Sequence, residues 1–172
     1  ARAGGRARFL GHPLLDIIPE EPAKKPAAEP LRIGLLPGSR RSELERHLPL
    51  FVQAFYKIKS VYADARGYVF AVPEFPDEKL LPMLADAWPG AEEDIEIVRE
   101  SDYAVRGTLD FAFTASGTAT LENALLGVPM LVAYRMPRFT YEIAKRVITV
   151  PYISLVNVDR YGSMAAHGYP TF

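Results

Sequence analysis

Residues 35–43 read LLPGSRRSE, where the apolar run LRIGLL (31–36) stops and a charged, helix-like run begins. An apolar run closed by Pro-Gly and followed by helical spacing is a buried strand feeding a helix. The same nine residues bring a glycine, two hydroxyls, two arginines and a carboxylate to one strand end. Two readings fit. In the first, the stretch is a turn, with Ser42 and Glu45 forming a capping box. In the second, it is a pocket for an anion. Gly38 permits close backbone approach, Ser39 supplies a donor, and Arg40 grips a phosphate with its planar fork. No Gly-Lys-Ser/Thr follows, so this is not a P-loop.

Working outward, further short β-like runs appear at 68–72, 95–98, 110–114 and 129–134. Helical segments lie between them. Leu44, Leu48, Phe51, Phe55 and Ile58 fall on one face of a helix over 42–59. Pro49 interrupts that pattern, which predicts a main helix starting near it and a separate turn over 42–47. Helices are predicted at 77–87, 117–126 and 139–148, with a short one in 101–107. Alternating strands and helices, with nearly continuous apolar strands, predict an α/β fold. The sheet would be parallel, doubly wound and Rossmann-like, covered on both faces. Residues 1–30 form an N-terminal loop and linker region, since PEEPAKKPAAEP (19–30) holds four prolines and little that packs.

Bulk properties narrow the function. The 172 residues are 49% hydrophobic and 24% charged, an ordinary globular composition. A net charge of −1 offers no basic field, so no nucleic-acid partner is expected. With no cysteine there is neither a disulfide framework nor a thiolate metal site. His12, His47 and His167 have no ligand-like spacing, and no metal is expected. No apolar run approaches the ~20 residues of a membrane span. Opening on Ala1 rather than Met is what a processed or excised piece would show.

Ligands of open parallel sheets bind outside the carboxyl ends of the strands. There the sequence places PGSR, TASGTATLE and AYRMPRF. Ser116, Gly117 and Thr118 open a helix whose free N–H groups and dipole favour phosphate. Glu122, further along it, can accept from a ribose diol. Equally, Ser116 can be an N-cap and Glu122 a solvated surface residue. Arg135 leaves a strand end and can meet phosphate or base. Arg138, Lys145 and Arg146, with Phe139 and Tyr141, form either an ordinary amphipathic helix or a face drawn to anionic lipid. Asn157, after YISLV, is a turn residue or a ligand contact.

In order, GHPLLD, LLPGSRRSE, TASGTATLENALLGVPMLVAYRM, FTYEIAKR and YISLVN resemble the lipid-A-disaccharide synthases, glycosyltransferases of the GT-B fold. The resemblance covers about residues 11–157. It implies transfer of 2,3-diacylglucosamine from its UDP donor to 2,3-diacylglucosamine 1-phosphate, giving the lipid A disaccharide 1-phosphate and UDP. It implies no cofactor, with the UDP-sugar as substrate, and a cytoplasmic enzyme peripheral to the inner membrane that forms a homodimer. By the same resemblance 31–157 is a UDP-sugar-binding domain, one half of a GT-B fold. Gly38, Ser39, Arg40 and Glu43 would face the UDP-sugar. Ser116, Gly117 and Thr118 would cradle phosphates, Glu122 would hold ribose, and Arg135, Met136 and Asn157 would complete the site. Arg40 and Asn157 are the expected catalytic residues, Arg40 by stabilising charge on the departing diphosphate.

The family's Ser-Leu-Pro-Asn is Ser-Leu-Val-Asn here, with Val156 for proline. Met164 stands near an expected arginine, so 158–172 is an atypical tail. The resemblance reaches only the nucleotide-binding half, and half a cleft should bind UDP and catalyse little. Three other readings remain: a UDP-sugar-binding domain without transfer, an enzyme like UDP-N-acetylglucosamine epimerase, and a purely structural domain.

Overall fold

The computed structural model describes residues 12–19 and 30–133. In chain order the elements are α1 (Leu14–Ile17), β1 (Arg32–Leu36), α2 (Arg41–Lys59), β2 (Arg66–Phe70) and α3 (Asp77–Ala87). They continue with α4 (Ala91–Asp94), β3 (Ile95–Val98), a 3₁₀ turn at Arg106–Thr108, β4 (Phe111–Thr114), α5 (Thr118–Leu125) and β5 (Met130–Val132). The strands form one parallel sheet in the order β3-β2-β1-β4-β5. The α/β, Rossmann-like class read from the sequence is the class observed.

Alternation along the strands divides the core between two faces. Ile33, Leu35 and Val69 pack under α2 and α3, against Leu44, Leu48, Phe51, Val52, Phe55, Leu80 and Leu84. Leu36, Phe70, Val98 and Ala112 point the other way, towards Leu14 of α1, Ile18 just after it, Leu109 and Leu126. Gly34 shares this second face with Leu36 by alternation, and a Cβ there would stand 2.6 Å from a Leu109 methyl. The chain thus winds over one face from β1 to β2 to β3, returns to the sheet centre, and winds over the other from β4 to β5. The reversal falls between β1 and β4, the topological switch point of such sheets.

Several local expectations are corrected. Helix α2 is continuous from Arg41 to Lys59, with Pro49 inside it rather than at the start of a second helix. An interior proline costs about 3 kcal/mol, since it removes a hydrogen bond and crowds the preceding turn. Five apolar side chains of this helix are buried, each worth roughly 1.5–3 kcal/mol, which outweighs that cost. The cap also lies earlier than Ser42 and Glu45: Arg40 is the N-cap and Glu43 the third helical residue. Glu45 instead pairs with Arg41 at 2.7 Å on the surface. The run expected at 68–72 pairs as Arg66–Phe70 because Arg66 and Gly67 align with Arg32 and Ile33. The short helix expected in 101–107 is the 3₁₀ turn at Arg106–Thr108. Helices α1 and α4 were not anticipated. The expected helix 139–148 and the tail lie outside the described residues. No described helix is long and apolar enough to cross a membrane.

Candidate functional site

At the switch point two loops leave the sheet side by side. Leu36 pairs with Thr114 as the last residues of β1 and β4, and the Ala115 N–H donates to the Leu36 carbonyl at 2.9 Å. The loops that follow, 37–40 and 115–117, therefore start one strand spacing apart, about 5 Å. They carry Gly38, Ser39 and Arg40 on one side and Ser116, Gly117 and Thr118 on the other.

The first loop is shaped by its own helix. Gly38 has φ 116°, a region costly for a residue with a side chain. Glu43 reaches back so that its Oε2 accepts from the Ser39 N–H at 3.1 Å and the Arg40 N–H at 3.2 Å. This is half a capping box, because a guanidinium at the N-cap has no acceptor with which to return the bond. From α2, His47 is 1% exposed and its Nδ1 lies 2.8 Å from the Pro37 carbonyl. A carbonyl only accepts, so Nδ1 carries the proton. The ring also stacks on Phe51. His47 thus ties the base of the loop to the core.

This arrangement decides what the loop can offer. Glu43 occupies the amides of Ser39 and Arg40. The Arg40 side chain is 81% exposed, and its ion pair to Glu43 is 3.4 Å long. Such an exposed pair is worth about 0–1 kcal/mol, so an arriving anion can recruit the guanidinium at little cost.

The second loop turns through Gly117 at φ 156°, ψ −164°, an almost glycine-only conformation. Among the described residues nothing lies within 4 Å of where its Cβ would be. Helix α5 begins at Thr118 with no side-chain cap. Its dipole and first N–H groups face the space beside Gly117, a geometry suited to a phosphate.

Glu122, one turn into α5, has partners that the sequence did not disclose. Its Oε2 is ion-paired with Arg106, and its Oε1 accepts from the Tyr103 hydroxyl at 3.2 Å. Arg106 lies over the rings of Phe70 and Tyr103, at 4.9 and 5.4 Å from their centroids. Glu100 accepts from the backbone N–H groups of Val105 at 2.6 Å and Arg106 at 3.0 Å. Burial, and then the charge of Glu122, push the Tyr103 hydroxyl above its ordinary pKa, so it remains a donor. Glu122 is thus a half-buried member of an ion cluster, not the solvated surface residue that was one sequence reading.

The structure brings Gly38, Ser39, Arg40 and Glu43 together with Ser116, Gly117 and Thr118. It directs Glu122 towards residues 100–106. Arg135, Met136 and Asn157 lie outside the described residues. Among the described residues no group of three or more His, Asp or Glu is placed to hold a metal ion. Of the participants that sequence reasoning missed, His47 was the most legible: it shares the spacing of Leu44, Leu48 and Phe51. Glu100, Tyr103 and Arg106 carry no comparable pattern.

Residues 2–162 match the family model described as lipid-A-disaccharide synthetase, and the chain belongs to that family. It is 32% identical over 164 residues to the lipid-A-disaccharide synthase of Geobacter sulfurreducens, covering 91% of this chain and 42% of that protein. With the enzyme of the same name from Neisseria meningitidis serogroup B the identity is 35% over 163 residues, with the same coverages. The chain spans about two-fifths of the length of these curated relatives. Among solved structures it is similar to MnaA of S. aureus in a co-structure with UDP. There the TM-score is 0.47 and the identity 15%, over 76% of this chain and 35% of that one.

Proposed function

Proceeding from that membership, we propose that the chain is the donor-binding part of a lipid-A-disaccharide synthase, one half of a GT-B cleft. The reaction would transfer 2,3-diacylglucosamine from UDP to 2,3-diacylglucosamine 1-phosphate, at the cytoplasmic surface of the inner membrane. The observation that carries the reading is the adjacency of two anion-suited loops at the β1/β4 switch point, fixed by the pairing of Leu36 with Thr114.

Each loop then has a role. The diphosphate sits between them, over Gly117, where no described side chain intrudes. The α5 N-terminus and the Arg40 guanidinium neutralise it from opposite sides. As the glycosidic bond breaks, negative charge grows on the leaving UDP, and Arg40 stabilises the transition state more than the ground state. Glu122 accepts from the ribose diol. Arg135, Met136 and Asn157 are assigned to the same site by family resemblance.

Titration calorimetry of the chain with UDP, and with ADP as control, tests the reading. UDP should bind selectively, and Arg40→Ala should weaken it about 10- to 100-fold, the worth of one hydrogen bond to a charged group. Equal binding of UDP and ADP, or an Arg40→Ala variant as tight as the parent, refutes it. Transfer is assayed separately, with both acylated substrates.

A further inference from the structure

Glu100, Tyr103 and Arg106 gather around Glu122, the residue read above as the ribose contact. We propose that Arg106 and Tyr103 are positioning residues that hold the Glu122 carboxylate for the sugar diol of the nucleotide. The inference deepens the UDP-sugar reading and rests on it.

Four observations converge on it. Arg106 and Tyr103 meet different oxygens of the same carboxylate, which fixes its plane. An ionised carboxylate has roughly four acceptor positions. Among the described residues two are filled, one on each oxygen, which leaves one on each for a ligand hydroxyl. The side chains of Arg106 and Glu122 are only 13% and 17% exposed. Removing one member of a pair at that depth would leave the other without its partner, so Arg106 and Glu122 hold one another in place. The Arg106 fork is itself held, over Phe70 and Tyr103 by ring contact, and by Glu100 bound to its own backbone N–H. Finally, Tyr103 has φ 60°, a backbone strain of the kind that collects at ligand sites. If the cluster served packing alone, apolar side chains of similar volume would do as well or better.

The test compares UDP with 2′,3′-dideoxy-UDP, a probe without the diol, by calorimetry on the full chain. The parent should prefer UDP by about tenfold, the worth of one hydrogen bond to a charged acceptor. Glu122→Gln should erase most of that preference. Arg106→Met should reduce it at least threefold while dideoxy-UDP affinity stays within twofold, and Arg106→Lys should restore part of it. Should Arg106→Met not fold, Tyr103→Phe removes one hydroxyl and should lower the preference in the same direction. An Arg106→Met or Tyr103→Phe variant with the parent's preference overturns the inference. So does an equal loss of affinity for both ligands, which is what a merely structural role would produce. A parent that binds both ligands alike overturns the inference and leaves the UDP reading standing. A parent that binds neither overturns both.

Discussion

Gly38 sits at the centre of the candidate site, yet the structure gives it a folding role that needs no ligand. At φ 116° a residue with a side chain is strained, by about 1–3 kcal/mol. In Gly38→Ala the new Cβ would also lie 2.5 Å from Glu43 Oε2 and 2.7 Å from Glu43 Cβ. The carboxylate can swing away, but it then releases the amides of Ser39 and Arg40. Loss of such a cap costs about 0.5–2 kcal/mol. The Glu43 Cβ is fixed to α2 and cannot swing. Together these put Gly38→Ala at about 2–4 kcal/mol of lost stability, read from urea denaturation followed by helical circular dichroism. The parts separate in a double-mutant cycle. Glu43→Ala removes the carboxylate but keeps a Cβ, so Gly38→Ala in that background should cost about 1 kcal/mol less than in the parent. A Gly38→Ala protein within about 0.5 kcal/mol of the parent, or strict additivity with Glu43→Ala, would refute the reasoning. A glycine present only for ligand approach would leave stability unchanged and weaken UDP alone.

Gly117→Ala supplies the contrast: among the described residues it meets no clash, its cost there is backbone strain of about 1–3 kcal/mol, and a double-mutant cycle with Glu43→Ala should show no coupling. His47→Ala leaves the Pro37 carbonyl without its donor and opens a void beside Phe51. It should cost about 2–4 kcal/mol, and a denaturation loss under about 1 kcal/mol would show that the loop does not hang on this residue. Tyr56 sets an alkaline limit. Burial, then the charge of Asp94, push its hydroxyl from 10.0 up to about 12, so the folded protein holds this proton more tightly than the unfolded chain does. Its contribution is complete below pH 10 and is lost as the pH rises from 10 towards about 12. Denaturation of Tyr56→Phe across that window should show a flatter loss of stability than the parent, and an identical slope would refute the assignment.

The fold was legible where the physics is local. Parallel strands buried on both faces read as continuous apolar runs, and β1, β3 and β4 lie within a residue of their expected places. The α2 stripe is helical in the sequence as it is in space. What failed was decided at a distance. Whether Pro49 breaks α2 depends on how much of that helix is buried, which only the sheet beneath it determines. Where the cap falls depends on Arg40 remaining extended, at φ −97° and ψ 146°, after a strand whose end is set by pairing with Thr114. The cluster of Arg106 with Glu122 joins residues 16 apart in sequence, through a 3₁₀ turn and a helix, so no periodicity marks it. LLPGSRRSE is therefore a turn closed by Glu43, not by a box of Ser42 and Glu45, and a turn of this kind does not exclude an anion pocket. Glu43 takes up the amides and makes the turn, and by doing so it leaves the Arg40 side chain as the loop's charged group facing outward. The turn chemistry selects which donors remain for an anion, and a capping box at Ser42 and Glu45 would have left the amides of Ser39 and Arg40 open as well.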